Sequence, residues 1–134
     1  MHTLFIVDDD IVFQRIIKMT LIKYSAFKHV HYFAEGKSLL TYLIENKNDF
    51  SNLPDVIFLD LAMPELDGWG VLDAMQQFYN SLCKKIAVYI VTVSVIARDK
   101  ERALTYGFVK EFISKPLYGD KIIAIKNDTQ YQIK

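Results

Sequence analysis

Pro54-Asp55-Val56-Ile57-Phe58-Leu59-Asp60 is the stretch on which the reading of the fold turns. Consecutive large apolar side chains leave the segment no polar face, so it reads as a strand buried on both sides, as in a parallel sheet covered by helices. It opens behind a proline and stops abruptly at an acid. Towards the N-terminus, Leu4-Phe5-Ile6-Val7 repeats that design and stops at Asp8, Asp9 and Asp10. Towards the C-terminus, Ile86 to Val91 does the same and stops at Thr92, and the shorter Glu111 to Ser114 stops at Lys115-Pro116. His29 to Phe33 is a weaker strand.

Segments of helical period lie between these runs. Phe13, Ile16, Ile17, Thr20, Leu21 and Tyr24 recur at helical spacing after the first strand, and Leu39, Leu40, Leu43 and Ile44 follow Gly36. Met63 to Gly70, with Pro64, is a loop and helix start from which Val71, Leu72, Met75 and Phe78 continue. Ala97 to Tyr106 reads as a charged, solvent-facing helix. Alternation of buried strands with helices argues for βαβ units and an α/β class of five repeats. After Pro116, Gly119 and the Asn127-Asp128-Thr129 cluster weaken the helical signal, and a short or irregular last helix is expected.

The 134 residues are 51% hydrophobic, with only 5 Gly and 3 Pro, which suits one compact core and excludes a disordered or low-complexity chain. No Pro/Gly/Ser-rich linker or internal repeat divides residues 1–134, so they are read as a single domain. Lys+Arg and Asp+Glu both number 16, so nothing draws the chain as a whole to phosphate backbones or anionic lipid, and no direct nucleic-acid partner is expected. The lone Cys83 cannot form an internal disulfide, and no second cysteine is present to share a structural zinc, which fits a reducing cytoplasm. Ile86 to Ala97, the longest uncharged and mostly apolar run, is well short of the roughly 20 residues of a membrane span, so no membrane insertion is expected. The N-terminal apolar run meets acids where a signal peptide would continue.

In a parallel sheet whose strands are all followed by helices, the carboxyl ends of the strands share one edge, where ligands bind. The polar residues at those ends are Asp8, Asp9, Asp10, Asp60, Thr92 and Lys115. Crowded carboxylates repel one another, and a hard divalent cation held by oxygens, Mg²⁺, is the simplest compensation. Such an ion beside a lysine and a hydroxyl is suited to neutralising a transferring phosphoryl group, with a carboxylate as acceptor.

Four blocks occur in order: Phe5-Ile6-Val7-Asp8-Asp9-Asp10; Val56 through Asp60-Leu61-Ala62-Met63-Pro64-Glu65-Leu66-Asp67-Gly68-Trp69; Ile90-Val91-Thr92; and Phe112-Ile113-Ser114-Lys115-Pro116. Together they resemble the receiver domain of two-component response regulators, of the stand-alone, chemotaxis-like type, from residue 3 to about residue 125. The resemblance implies a flavodoxin-like, doubly wound (βα)5 fold with a five-stranded parallel sheet in strand order 2-1-3-4-5. It implies that Asp60 is the phosphoacceptor, taking its phosphoryl group from a histidine kinase or histidine phosphotransfer protein. The Mg²⁺ site would comprise Asp9 as a direct ligand, Asp8 through water, Asp60, and the backbone carbonyl of Ala62. Thr92 and Lys115 would bind the phosphoryl oxygens, and Phe112 occupies the aromatic switch position. Ala62 and Ser94 stand where the family tunes hydrolysis, and neither is large.

The same resemblance implies a signalling module and not a turnover enzyme. It would act on a downstream protein through the face of the fourth helix, fifth strand and fifth helix, as a monomer or a phosphorylation-dependent dimer. Two local departures stand out: Val93 follows Thr92 where a smaller residue is usual, and the interval from Gly107 to Lys115 is one residue longer than the common pattern. Asp10 is read as a helix cap and Asp67-Gly68 as a helix-start turn. The competing reading is a phosphatase of the haloacid-dehalogenase type, with Asp8 as nucleophile and Asp10 as acid/base. It would leave Asp60 and its Met-Pro-Asp-Gly loop without a role.

Overall fold

The computed structural model describes the backbone of residues 2–133 and the side chains of residues 2–129. Among the described residues, β1 (Thr3–Val7), β2 (His29–Phe33), β3 (Val56–Leu59), β4 (Ala87–Thr92) and β5 (Val109–Ser114) form one parallel sheet in the order β2-β1-β3-β4-β5. The helices α1 (Ile11–Tyr24), α2 (Gly36–Glu45), α3 (Gly68–Phe78), α4 (Ala97–Ala103) and α5 (Gly119–Ile133) alternate with the strands. This is the doubly wound arrangement expected from the sequence. The chain runs outward from β1 to β2 and then crosses back to β3, so the strand order switches between β1 and β3 and opens a crevice beyond their carboxyl ends.

Each strand supplies both layers of the core. Leu4 and Ile6 face Ile17 and Leu21 of α1 and Ile122 and Ile125 of α5. Phe5 and Val7 point the other way, towards Leu39 and Leu43 of α2 and Val71, Leu72 and Met75 of α3. Leu4 through Val7 and Leu39, Leu43, Val71, Leu72 and Met75 are all 0% exposed, and each such side chain contributes about 1.5–3 kcal/mol of burial. That rigid slab fixes where the strand ends sit.

Three local expectations are corrected. The last helix is neither short nor irregular: α5 runs from Gly119 to Ile133. Ile122, Ile125 and Thr129 fall on one buried stripe, while Asn127 and Asp128 fall outside it. Thr129 Oγ1 donates to Ile125 O within the helix, so packing overrides the weak local propensity. The fourth helix stops at Ala103 rather than Tyr106, because Leu104 begins a turn in which Thr105 Oγ1 donates to Arg102 O. β5 begins at Val109, not Glu111. Val88 pairs with Val109 and Tyr89 with Glu111, so Lys110 is a β-bulge that takes up the extra residue of this connection.

Candidate functional site

The residues at the strand ends are held by the sheet itself. Asp8 N–H donates to Phe33 O at 2.9 Å, Asp60 N–H to Val7 O at 3.0 Å, and Lys115 N–H to Thr92 O at 2.7 Å. Each lies one residue past its strand yet stays in the hydrogen-bond ladder, so its side chain emerges from a fixed backbone. The loop after Asp60 is equally constrained. Gly68 N–H donates to Leu61 O at 2.9 Å. A Cβ at Gly68 would lie 2.4 Å from Asp60 O and 2.7 Å from Leu61 Cα, and both are main-chain atoms that cannot yield. Glycine at this position lets the loop fold back against the strand end.

Asp8, Asp9 and Asp60 each bring a carboxylate oxygen to within 4.8 Å of the others. Asp8 and Asp60 are buried and Asp9 is exposed. Lys115 Nζ lies 2.8 Å from Asp8 Oδ2 and 3.6 Å from Asp60 Oδ2. Asp8 Oδ1 accepts from Asp10 N–H at 2.9 Å, and Asp60 Oδ1 accepts a longer bond, 3.4 Å, from Ala62 N–H. Burial holds the Asp8 carboxyl above its ordinary range; Lys115 and the Asp10 N–H oppose this, and the charge of Asp60 adds to it. Asp8 Oδ2 is a buried oxygen whose one close partner among the described residues is the Lys115 ammonium. An all-oxygen donor set of three converging carboxylates fits a hard metal ion.

Other expected residues lie around this cluster. Thr92 is buried at the end of β4, with its Oγ1 accepting from Ser94 N–H at 3.5 Å and its carbonyl engaged by Lys115. Ser94 turns towards α4: its Oγ donates to Asp99 Oδ2 at 2.8 Å and accepts from Ile96 N–H at 3.4 Å. Ala62 and Val93 are exposed at the rim, and Phe112 is half-buried against the α2/α3 layer. The Lys115-Pro116 bond is cis. Asp10 is a helix cap, with Oδ1 accepting from Val12 N–H at 3.0 Å and Phe13 N–H at 3.2 Å. The carboxylate that the phosphatase reading needs as acid/base is thus committed to α1. Asp67 caps α3 through Gly70 N–H.

Two further neighbours of the site carry no motif in the sequence. Phe13, on the first turn of α1, places its ring face 4.2 Å from Lys115 Nζ, and Gln14 Nε2 donates to Asp8 O at 2.6 Å. Their only signal is position: the Asp10 cap turns the start of α1 back over the strand ends.

Residues 4–127 match the family described as response regulator receiver domain. The chain is similar to the protein-glutamate methylesterase/protein-glutamine glutaminase 3 of Geobacter sulfurreducens, 25% identical over 133 residues that cover 96% of this chain and 32% of that protein. It therefore spans about a third of that relative's length. It is also similar to the chemotaxis protein CheY of Bacillus subtilis, 26% identical over 132 residues that cover 96% of this chain and 97% of CheY. Among solved structures, a two component response regulator from Cytophaga hutchinsonii shares the fold with a TM-score of 0.87, at 21% identity and 97% coverage of both chains. The chain belongs to the response regulator receiver domain family, the receiver modules of two-component signalling.

Proposed function

We propose that Asp60 accepts the phosphoryl group, from a phosphohistidine on a kinase or phosphotransfer partner, with Mg²⁺ held by Asp8, Asp9, Asp60 and the Ala62 carbonyl. The observation that carries this reading is the meeting of Asp8, Asp9 and Asp60 within 4.8 Å with Lys115 bridging two of them. A carboxylate oxygen of Asp60 attacks phosphorus; its O–P bond forms as the P–N bond breaks, and the electron pair leaves on the imidazole nitrogen. The bound ion supplies charge neutralisation at the phosphoryl oxygens. Lys115, already between Asp8 and Asp60, pairs with the new anion. Thr92 turns its hydroxyl in to donate to it.

The aspartyl phosphate carries roughly −1.5 to −2 charge where the carboxylate carried a single one, and it brings strong acceptor oxygens to Asp60. The loops after β4 and β5 satisfy them by moving, which selects a different packing of α4 and β5 with Phe112 turning inward. The face of α4, β5 and α5 then serves a downstream protein. Ala62 and Ser94 leave water free to reach the acyl phosphate, so the signal decays without a bulky side chain in the way. On this reading the domain is a cytoplasmic switch, not an enzyme turning over a free substrate. Exposed Ile11, Val12, Ile16, Met19 and Ile22 on α1, beside the acids, form the surface that a phosphohistidine-bearing protein would cover.

Incubation with Mg²⁺ and a small acyl-phosphate donor tests the reading. The parent should take up one labile phosphoryl group per chain, and Asp60→Asn none. Uptake by Asp60→Asn, or sustained turnover of phosphate esters that depends on Asp8, would overturn it.

A further inference from the structure

The Lys115 side chain is only 11% exposed, and three groups surround its ammonium. Asp8 and Asp60 lie 2.8 Å and 3.6 Å away. The third is the face of Phe13, 4.2 Å from the nitrogen to the ring centroid. Two carboxylates alone would leave the ammonium free to slide between them, and the balance would shift whenever either changed its charge or its partner. The ring does not titrate or bind metal, and its place is set outside the site. Phe13 is half-buried against the α1/α5 layer, and its N–H is bound by Asp10 Oδ1 at 3.2 Å. An aromatic face attracts a cation through its quadrupole and shields it from water.

We propose that Phe13 is a positioning residue for Lys115: its ring holds the ammonium over the gap between Asp8 and Asp60, where it meets a phosphoryl group arriving at Asp60 without a conformational search. This rests on the reading of Asp60 as phosphoacceptor. Simple core packing is the competing role, and a leucine would largely serve that. Orientation is what the leucine would lose.

Phe13→Leu and Phe13→Tyr separate the two roles. In the metal-free, unphosphorylated protein, the ring current should displace the Lys115 ε-methylene protons upfield by NMR in the parent and in Phe13→Tyr, and leave them at an ordinary lysine position in Phe13→Leu. With Mg²⁺ and saturating acyl phosphate, Phe13→Leu should be labelled roughly tenfold more slowly. The donor concentration for half-maximal rate should change little, and Phe13→Tyr should recover the parent's rate. Thermal melts report packing separately. A Phe13→Leu protein that melts lower but labels at the parent's rate, or a parent whose Lys115 protons are undisplaced, overturns the proposal. Labelling of Asp60→Asn would overturn the phosphoacceptor reading instead, while the Lys115 signal would still report the contact.

Discussion

Lys115 is paired with Asp8, Nζ to Oδ2 at 2.8 Å, although the carboxylate it is proposed to serve is Asp60, at 3.6 Å. In the unphosphorylated protein the ammonium offsets the least solvated acid of the cluster. On the proposed reading, a metal ion held by Asp8 and Asp9 would compete for that carboxylate and leave Lys115 to Asp60.

Mg²⁺ should therefore stabilise the fold. At 100 times its dissociation constant an ion contributes about 2.7 kcal/mol, which raises the melting temperature by several degrees. Chelation should reverse the shift. Asp9→Asn, which removes one carboxylate from the trio, should melt at or above the parent without metal and gain much less when Mg²⁺ is added.

A second ion pair, at the opposite edge of the sheet, is structural. Lys84 Nζ lies 3.0 Å from Asp55 Oδ1 and donates to Leu53 O at 3.0 Å, while Asp55 Oδ2 accepts from Thr3 N–H at 2.7 Å. The two side chains are 9% and 5% exposed. Lys84→Met should cost about 3–5 kcal/mol in urea unfolding because it strands the Asp55 charge in the interior. Lys85→Met, an exposed neighbour, should cost under about 0.5 kcal/mol.

Tyr89 sets an alkaline limit on stability. Burial, then the charge of Asp128 and the hydrogen bond to it, pushes the phenol up to about 12 from an ordinary 10.0. The folded state thus binds this proton more tightly than the unfolded chain does. Its contribution is intact below pH 10 and is lost as pH rises from 10 towards 12. Tyr89→Phe should flatten the fall in unfolding free energy across that window, although Tyr32, Tyr42, Tyr79 and Tyr106 are also raised and retain part of it.

Arg102 of α4 places its guanidinium carbon 4.1 Å from the ring centroid of Trp69 in α3, and Tyr106 donates to Asp73 of the same helix. These contacts tie α4 and the turn that follows it to α3. Because Trp69 is the sole tryptophan, its emission reports the tie directly. Phosphorylation should change that emission if α4 moves, and Arg102→Gln should change the resting emission and shrink the further response.

The strands and the site acids were legible because both obey short-range rules. Val56 through Leu59 could not lie on a surface, and an acid directly after a buried strand can only emerge at its end. Asp8, Asp60 and Lys115 accordingly follow their strands by one residue and donate to the neighbouring strand. The length of α5 was not legible, since the stripe of Ile122, Ile125 and Thr129 makes sense only against a partner layer the local sequence does not reveal. α1 misled in the opposite sense: Ile16 keeps helical spacing yet is 57% exposed, while Ile17 and Leu21 carry the packing. In the sequence Phe13 is one more apolar position at helical spacing, because its contact is with a lysine about a hundred residues away in the chain.

The central claim is that Asp60 carries the phosphoryl group, and chemical trapping tests it most directly. Borohydride reduces an aspartyl phosphate to homoserine and releases phosphate, marking the acceptor permanently. After labelling with Mg²⁺ and acyl phosphate, peptide mapping should find homoserine at position 60 alone. Homoserine at position 8 or 9, or an adduct that leaves residue 60 as aspartate, would contradict the account.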